Sequence, residues 1–135
     1  MTDLEKGYVA GLIDGEGTVT LLKDRASAKF KYPVVEMTST TYALVERMKK
    51  LCGGIISNQK VYKENYKQSY KWCVRGDKAI ALLTEIKDYL LEPNKNYRAN
   101  LIVNEYKAVT PRNGKYSEEM LEKKLDFEKR FFETI

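Results

Sequence analysis

The chain has 135 residues, 43% of them hydrophobic and 32% charged. That balance suits a single globular domain over residues 1–135 and excludes a disordered chain. No apolar run approaches the ~20 residues of a membrane span, and Met1–Lys6 lacks the basic start and apolar middle of a secretory signal. The expected setting is therefore intracellular, cytoplasmic or organellar, with no membrane partner. Lysine and arginine number 24 against 19 aspartates and glutamates, leaving +5, an excess that suits an anionic partner.

Histidine is absent, which removes every mechanism built on imidazole, from Ser-His-Asp triads to His-ligated zinc. Cys52 and Cys73 are too few for a zinc site and read as reduced thiols. Chemistry in this chain must run on carboxylates, lysine, hydroxyls or a hard metal ion.

In chain order, residues 3–13 read as a helix, with Asp3 as N-cap and Leu4, Tyr8 and Leu12 at helical spacing. Gly7, Gly11 and Gly15 recur every four residues along it. Each glycine costs a helix ~1 kcal/mol against alanine, so three in register imply close approach of another backbone. Thr18–Leu22 reads as a strand, Lys23–Ala28 as a polar turn and Phe30–Ser39 as a second strand. Thr40 or Thr41 caps a helix from Tyr42 to Leu51 with Leu44, Met48 and Leu51 inward, ended by Gly53-Gly54. Ile55–Tyr62 is a third strand and Ser69–Arg75 a fourth. The fourth places Tyr70, Trp72 and Val74 on one face and Ser69, Lys71, Cys73 and Arg75 on the other. A strand apolar on one side and basic on the other belongs to a sheet with a core face and a polyanion face.

Asp77 caps a helix to about Leu91, Glu92-Pro93-Asn94 breaks it, and Lys95–Ala108 forms the next. Pro111–Gly114 is a turn. Ser117 caps a last helix with Leu121, Leu125 and Phe132 on its apolar face. The order is αββαββα plus C-terminal helices, an α+β fold.

The segment Val9-Ala10-Gly11-Leu12-Ile13-Asp14-Gly15-Glu16-Gly17 resembles the signature of the LAGLIDADG homing endonucleases. Ala10, Gly11, Leu12, Ile13, Asp14 and Gly17 match it letter for letter, and αββαββα is that family's core with its saddle-like antiparallel sheet. The resemblance implies a single-motif homodimer with Gly7, Gly11 and Asp14 at the helix–helix seam. It implies a homing endonuclease acting on double-stranded DNA at a long, roughly palindromic site, cutting both strands across a minor groove to leave short 3′ overhangs. Glu16 takes the place of the family's metal-binding catalytic carboxylate, with the Gly15 carbonyl beside it. Lys95 takes the place of the lysine before the helix that follows the second αββ unit. Ser39, with Thr38 and Thr40 as neighbouring registers, takes that of a polar residue that orients water. The basic residue beyond it has no clear counterpart, Arg47 and Arg75 being the candidates. Hard oxygen ligands point to Mg²⁺, with Mn²⁺ as substitute.

Strand parity then gives the DNA-facing set: Thr18, Thr20 and Leu22; Tyr32, Val34 and Glu36; Ser57 and Gln59; Ser69, Lys71, Cys73 and Arg75. A β-ribbon fits the major groove, where such side chains read base edges. Lys60, Lys63 and Lys67 would meet phosphates. Within the same fold the alternatives are an RNA maturase and a non-catalytic DNA-binding regulator.

Overall fold

The computed structural model describes residues 1–61, 63–64 and 66–133. Helix α1 spans Asp3–Glu16, followed by strands β1 (Gly17–Leu22) and β2 (Tyr32–Ser39) and helix α2 (Tyr42–Cys52). Strands β3 (Ile55–Asn58) and β4 (Tyr70–Arg75) precede helices α3 (Asp77–Ile86), α4 (Pro93–Leu101) and α5 (Glu118–Phe131). The four strands make one antiparallel sheet in the order β1-β2-β4-β3. This is the expected α+β, αββαββα arrangement with helices at the C-terminal end. Among the described residues no helix is long and apolar enough to cross a membrane.

One sheet face carries the core. Val19, Leu21, Val35, Met37, Trp72 and Val74 point into it and meet Val9, Ala10 and Ile13 of α1, Val45 and Met48 of α2, and the apolar face of α3. Trp72 is fully buried, and its indole Nε1–H donates to the Gly53 carbonyl at 2.8 Å. That bond fixes the α2–β3 turn to the sheet. Gly53 and Gly54 have φ of 73° and 93°, and a Cβ on Gly54 would strike the Cys73 carbonyl. Both conformation and space require glycine there.

Several boundaries differ from expectation. Thr2, not Asp3, caps α1: the Glu5 N–H donates to its hydroxyl at 3.1 Å and the Thr2 N–H to the Glu5 carboxylate at 2.9 Å, a full capping box. Inside α2, Val45 joins Met48 in the core while Leu44 and Leu51 are only partly covered. The third strand ends at Asn58; its expected end, Tyr62, lies outside the described residues. Gly76 rather than Asp77 occupies the N-cap of α3. Helix α3 stops at Ile86 and a 3₁₀ turn covers Lys87–Tyr89. The Asn96 amide stabilises that stop by donating to the carbonyls of Lys87 and Leu90, both at 3.0 Å. Pro93 starts α4 instead of merely breaking α3. It sits at the first helical position, where a missing N–H costs nothing. Beyond Leu101 the chain winds on through a π-helical turn over Ile102–Tyr106.

Helix α5 turns a different face inward. Lys124, Phe127 and Phe131 are buried, whereas Leu125 and Phe132 are exposed and Leu121 is half-buried. The cause is Lys124. Its ammonium donates to the Thr110 hydroxyl at 2.6 Å and lies 4.2 Å from the centre of the Tyr106 ring, so a lysine takes an interior place that an apolar count leaves to leucine.

Burial pulls the Lys124 pKa down to about 8, with Glu128 opposing. Below about 8 both folded and unfolded chains hold this proton. Above it the folded chain releases the proton first, the unfolded chain binds more, and stability rises with pH. Thermal melts from about pH 7.5 to about 9.5 should therefore shift the parent upward relative to Lys124→Met, before the tyrosines ionise. A difference between the two that stays constant over this range would contradict the assignment.

Candidate metal and nucleic-acid site

The LAGLIDADG-like segment forms the second half of α1. Val9, Ala10 and Ile13 face the core, while Gly7, Gly11, Gly15 and Glu16 face outward. A Cβ on Gly7, Gly11 or Gly15 would meet nothing within 4 Å, so nothing within the chain demands these glycines. Leu4 is 84% exposed on the same helix and Tyr8 is also exposed. This outward stripe is small and apolar, the character of a surface that another backbone approaches.

Gly17 ends α1 and begins β1, and here the chain does demand glycine. A Cβ would lie 2.8 Å from Ile13 Cα and 3.2 Å from the Glu36 carbonyl oxygen. The helix end is thus pressed directly on β2. Gly17 pairs with Met37, so the next residue back, Glu16, emerges beside Thr38 at the rim of the solvent face of the sheet.

A closed set of hydrogen bonds ties this helix end to α4. The Asp14 carboxylate accepts from the Leu91 N–H at 2.9 Å and the Glu92 N–H at 3.2 Å. The Glu92 side chain caps α4 by accepting from the Lys95 N–H at 2.7 Å. Lys95 Nζ returns to α1, donating to the carbonyls of Ile13 at 2.9 Å and Asp14 at 2.7 Å. A helix C-terminus offers unpaired carbonyls and a negative dipole end, and a lysine satisfies both. Asp14, expected to close the helix end and support the seam, commits its carboxylate within the chain, at the helix end. Lys95, expected at the phosphate, has its amine on the backbone of the motif. Lys95→Met should cost ~1–3 kcal/mol, the range for leaving a partly buried acceptor unpaired, here the Asp14 carbonyl, since that of Ile13 keeps the Gly17 N–H. Urea unfolding checks this, and Lys95→Arg should recover part of the loss. Equal stability of parent and Lys95→Met would show that the amine does not hold the helix end.

Two clefts open beside this turn. One, of about 450 Å³, is lined by Glu16 with the hydroxyls of Thr38, Ser39, Thr40, Thr41 and Ser69. Here Ser39 does share a cleft with Glu16, although its Oγ also accepts from the Thr41 N–H at 3.0 Å. The other, of about 390 Å³, is lined by Thr18, Asn94, Lys95 and Arg98 among others. Arg98 was not singled out in the sequence. It donates to the Val19 carbonyl at 3.1 Å and stacks 4.9 Å from the Phe131 ring centre, joining β1, α4 and α5.

The solvent face of the sheet follows the expected parity. Thr18, Leu22, Ser57 and Arg75 are exposed, and Thr20, Tyr32, Glu36 and Lys71 are half-buried; Gln59 and Ser69, also half-buried, lie one residue beyond the ends of β3 and β4, where the Gln59 N–H donates to the Ser69 carbonyl at 2.9 Å. Val34 and Cys73 lie on this face too, but they are only 1% and 5% exposed and belong to no part of the main core. Burial to this degree closes them to direct base contact. Lys71 pairs with Glu36 at 3.7 Å, a half-exposed pair worth ~0–1 kcal/mol at the surface and open to exchange for another anion. The Arg75 pKa is pushed up, first by its hydrogen bond with the Cys73 side chain and then by Tyr32. The guanidinium stands over the Tyr32 ring at 6.0 Å. Arg47 is exposed on α2 and lines a groove with Leu4, Glu5, Tyr8 and Leu51. It stands with the outward stripe of α1 and takes no part in the Glu16 cleft. Ile55, on this face opposite Cys73 and 58% exposed, was missed; the parity that placed Ser57 and Gln59 also places it.

Among the described residues no group of three or more His, Cys, Asp or Glu converges to hold a metal. With Asp14 committed, one chain offers one available carboxylate at this turn, Glu16. That donor set fits Mg²⁺, which is commonly held by one or two carboxylates with waters and substrate phosphates completing the shell.

Comparison of the sequence with protein-family models and with curated proteins finds no match. Comparison with solved structures does. The homing endonuclease I-CvuI, in complex with a DNA target, is 18% identical, with 95% of this chain and 80% of that chain covered and a TM-score of 0.71. The archaeal intron-encoded homing endonuclease I-Vdi141I, complexed with DNA, is 20% identical over 96% of this chain and 82% of that one, with a TM-score of 0.61. The LAGLIDADG homing endonuclease I-LtrWI, bound to target DNA, is 22% identical and matches 96% of this chain but 45% of its own, at a TM-score of 0.62. On these matches, each over at least 95% of its length, the chain has the fold of the LAGLIDADG homing endonucleases.

Proposed function

We propose that two copies of this chain form a sequence-specific DNA endonuclease that makes a metal-dependent double-strand break. The observation that carries this reading is the position of Glu16. It is exposed where the outward glycine stripe of α1 meets the solvent face of a sheet bearing Lys71 and Arg75. Packing two α1 stripes together would set two Glu16 side chains next to each other between two sheets. I-LtrWI, roughly twice as long as the matched region, supports a unit of two such halves.

In this arrangement Glu16 and the Gly15 carbonyl would hold Mg²⁺, with Mn²⁺ as substitute. The ion supplies Lewis acidity toward a phosphodiester and a more acidic bound water. Two helix C-termini brought side by side repel, and cations between them relieve that repulsion. The chain's own residues do the rest. Lys95 and Asp14 tie the motif turn to α4, which sets where the Glu16 backbone lies. Ser39 and the adjoining threonine hydroxyls can orient water in the cleft beside it. Lys71 and Arg75 draw the DNA onto the sheet, where Thr18, Thr20, Tyr32, Glu36, Ser57, Gln59 and Ser69 present donors and acceptors to base edges.

Gly11→Leu tests the assembly. The position is open within the chain, so folding should be unaffected, whereas a side chain there would force two helices apart. Sedimentation should show the parent as a dimer and the variant as a monomer that no longer cuts; a dimeric, active variant would refute the seam. For the activity, a pool of plasmids with randomised inserts should yield in Mg²⁺ only those linear molecules whose inserts share one site, and none in EDTA. Binding without cleavage in Mg²⁺ would instead favour a regulator. A negative result with DNA and a positive one in intron splicing would favour a maturase.

A further inference from the structure

The strand registers place an apolar diagonal across the otherwise polar solvent face. Leu22 lies opposite Tyr32 on β1, and one row further along the strands Val34 of β2 lies between Thr20 and Arg75. The next row runs Thr18, Glu36, Cys73 and Ile55, and the one after it Thr38, Lys71 and Ser57. Leu22, Val34, Cys73 and Ile55 therefore sit on successive strands of the sheet at diagonal or directly opposite positions. The two middle members are buried and lie outside the main core cluster, while the ends, Leu22 and Ile55, are 40% and 58% exposed. Arg75 stands in the row between the two ends and Lys71 in the row beyond Ile55. An occupant of this surface must be anionic and must also present isolated apolar points. Duplex DNA does so in its major groove, where the only protruding apolar group is the thymine 5-methyl.

We infer that Leu22 and Ile55 are specificity-determining residues that read thymine methyl groups. This rests on the DNA-binding reading above and adds which bases are favoured. The two side chains are three strand spacings and two rows apart, roughly 20 Å. At ~3.4 Å per base step, they reach different thymines separated by at most about six base pairs.

The test begins with the duplex that the parent protein selects from a randomised library. Each thymine is then replaced singly by uracil, which pairs identically and lacks only the methyl. Loss of one buried methyl should weaken parent binding ~3–5-fold at two thymines per bound chain. Ile55→Ala should make one of these positions indifferent to uracil and Leu22→Ala the other, each leaving its partner sensitive. Both side chains are exposed, so neither substitution threatens the fold. A parent indifferent to uracil at every position, a selected site without thymine, or sensitivity that neither substitution removes would overturn this inference while leaving the DNA-binding reading intact. Failure to select any duplex would overturn both.

Discussion

Glu16→Gln should abolish cleavage of both strands while leaving dimerisation and site binding near parental levels. Glutamine keeps the size and the hydrogen-bonding capacity but removes the charge that would hold a divalent ion. At this turn no second carboxylate is available, because Asp14 is engaged by the N–H groups of Leu91 and Glu92, and the chain has no histidine. Binding should improve slightly, since two negative charges per dimer leave the vicinity of the phosphates. Gel shift and strand-resolved cleavage on the same duplex check both halves. Near-parental cutting would remove Glu16 from the mechanism.

The second large effect is on the fold. Trp72→Ala should lower stability by ~3–5 kcal/mol, the range for truncating a fully buried aromatic side chain. The indole fills the sheet's core face opposite Met37 and Ile56, and its N–H holds the Gly53 carbonyl. Lys71→Ala, one residue away, points to the other face and should cost little stability while weakening DNA binding and flattening its salt dependence. Denaturant unfolding and binding measured on both variants separate the faces. Effects in the reverse order would invert the strand parity.

The parity of the four strands was legible because side chains alternate with a strict period of two, and Tyr70-Lys71-Trp72-Cys73-Val74-Arg75 shows it openly. The motif helix was legible through its glycines, whose outward placement the structure bears out. What sequence could not carry was long-range pairing. Whether Val34 and Cys73 on the solvent face are open or covered depends on cross-strand neighbours, and hence on register. The return of Lys95 to the carbonyls of Ile13 and Asp14 joins residues 82 and 81 apart, and nothing local announces it. In α5 the pattern misled for a local reason. An interior lysine satisfied by Thr110 and Tyr106 shifted the buried face to Lys124, Phe127 and Phe131. At Pro93 the same residue type that stops one helix starts another, and the carboxylate of Glu92 decides between them.

If two chains bring two Glu16 side chains together to cut both strands across one minor groove, the ends of the cut DNA record it. The most direct measurement is to digest a randomised plasmid library in Mg²⁺ and sequence both strands at every new end. The ends should cluster on one roughly palindromic site, carry short 3′ overhangs and vanish both in EDTA and with Glu16→Gln. Ends scattered over unrelated sequences, 5′ overhangs, or cleavage that persists in EDTA would contradict it.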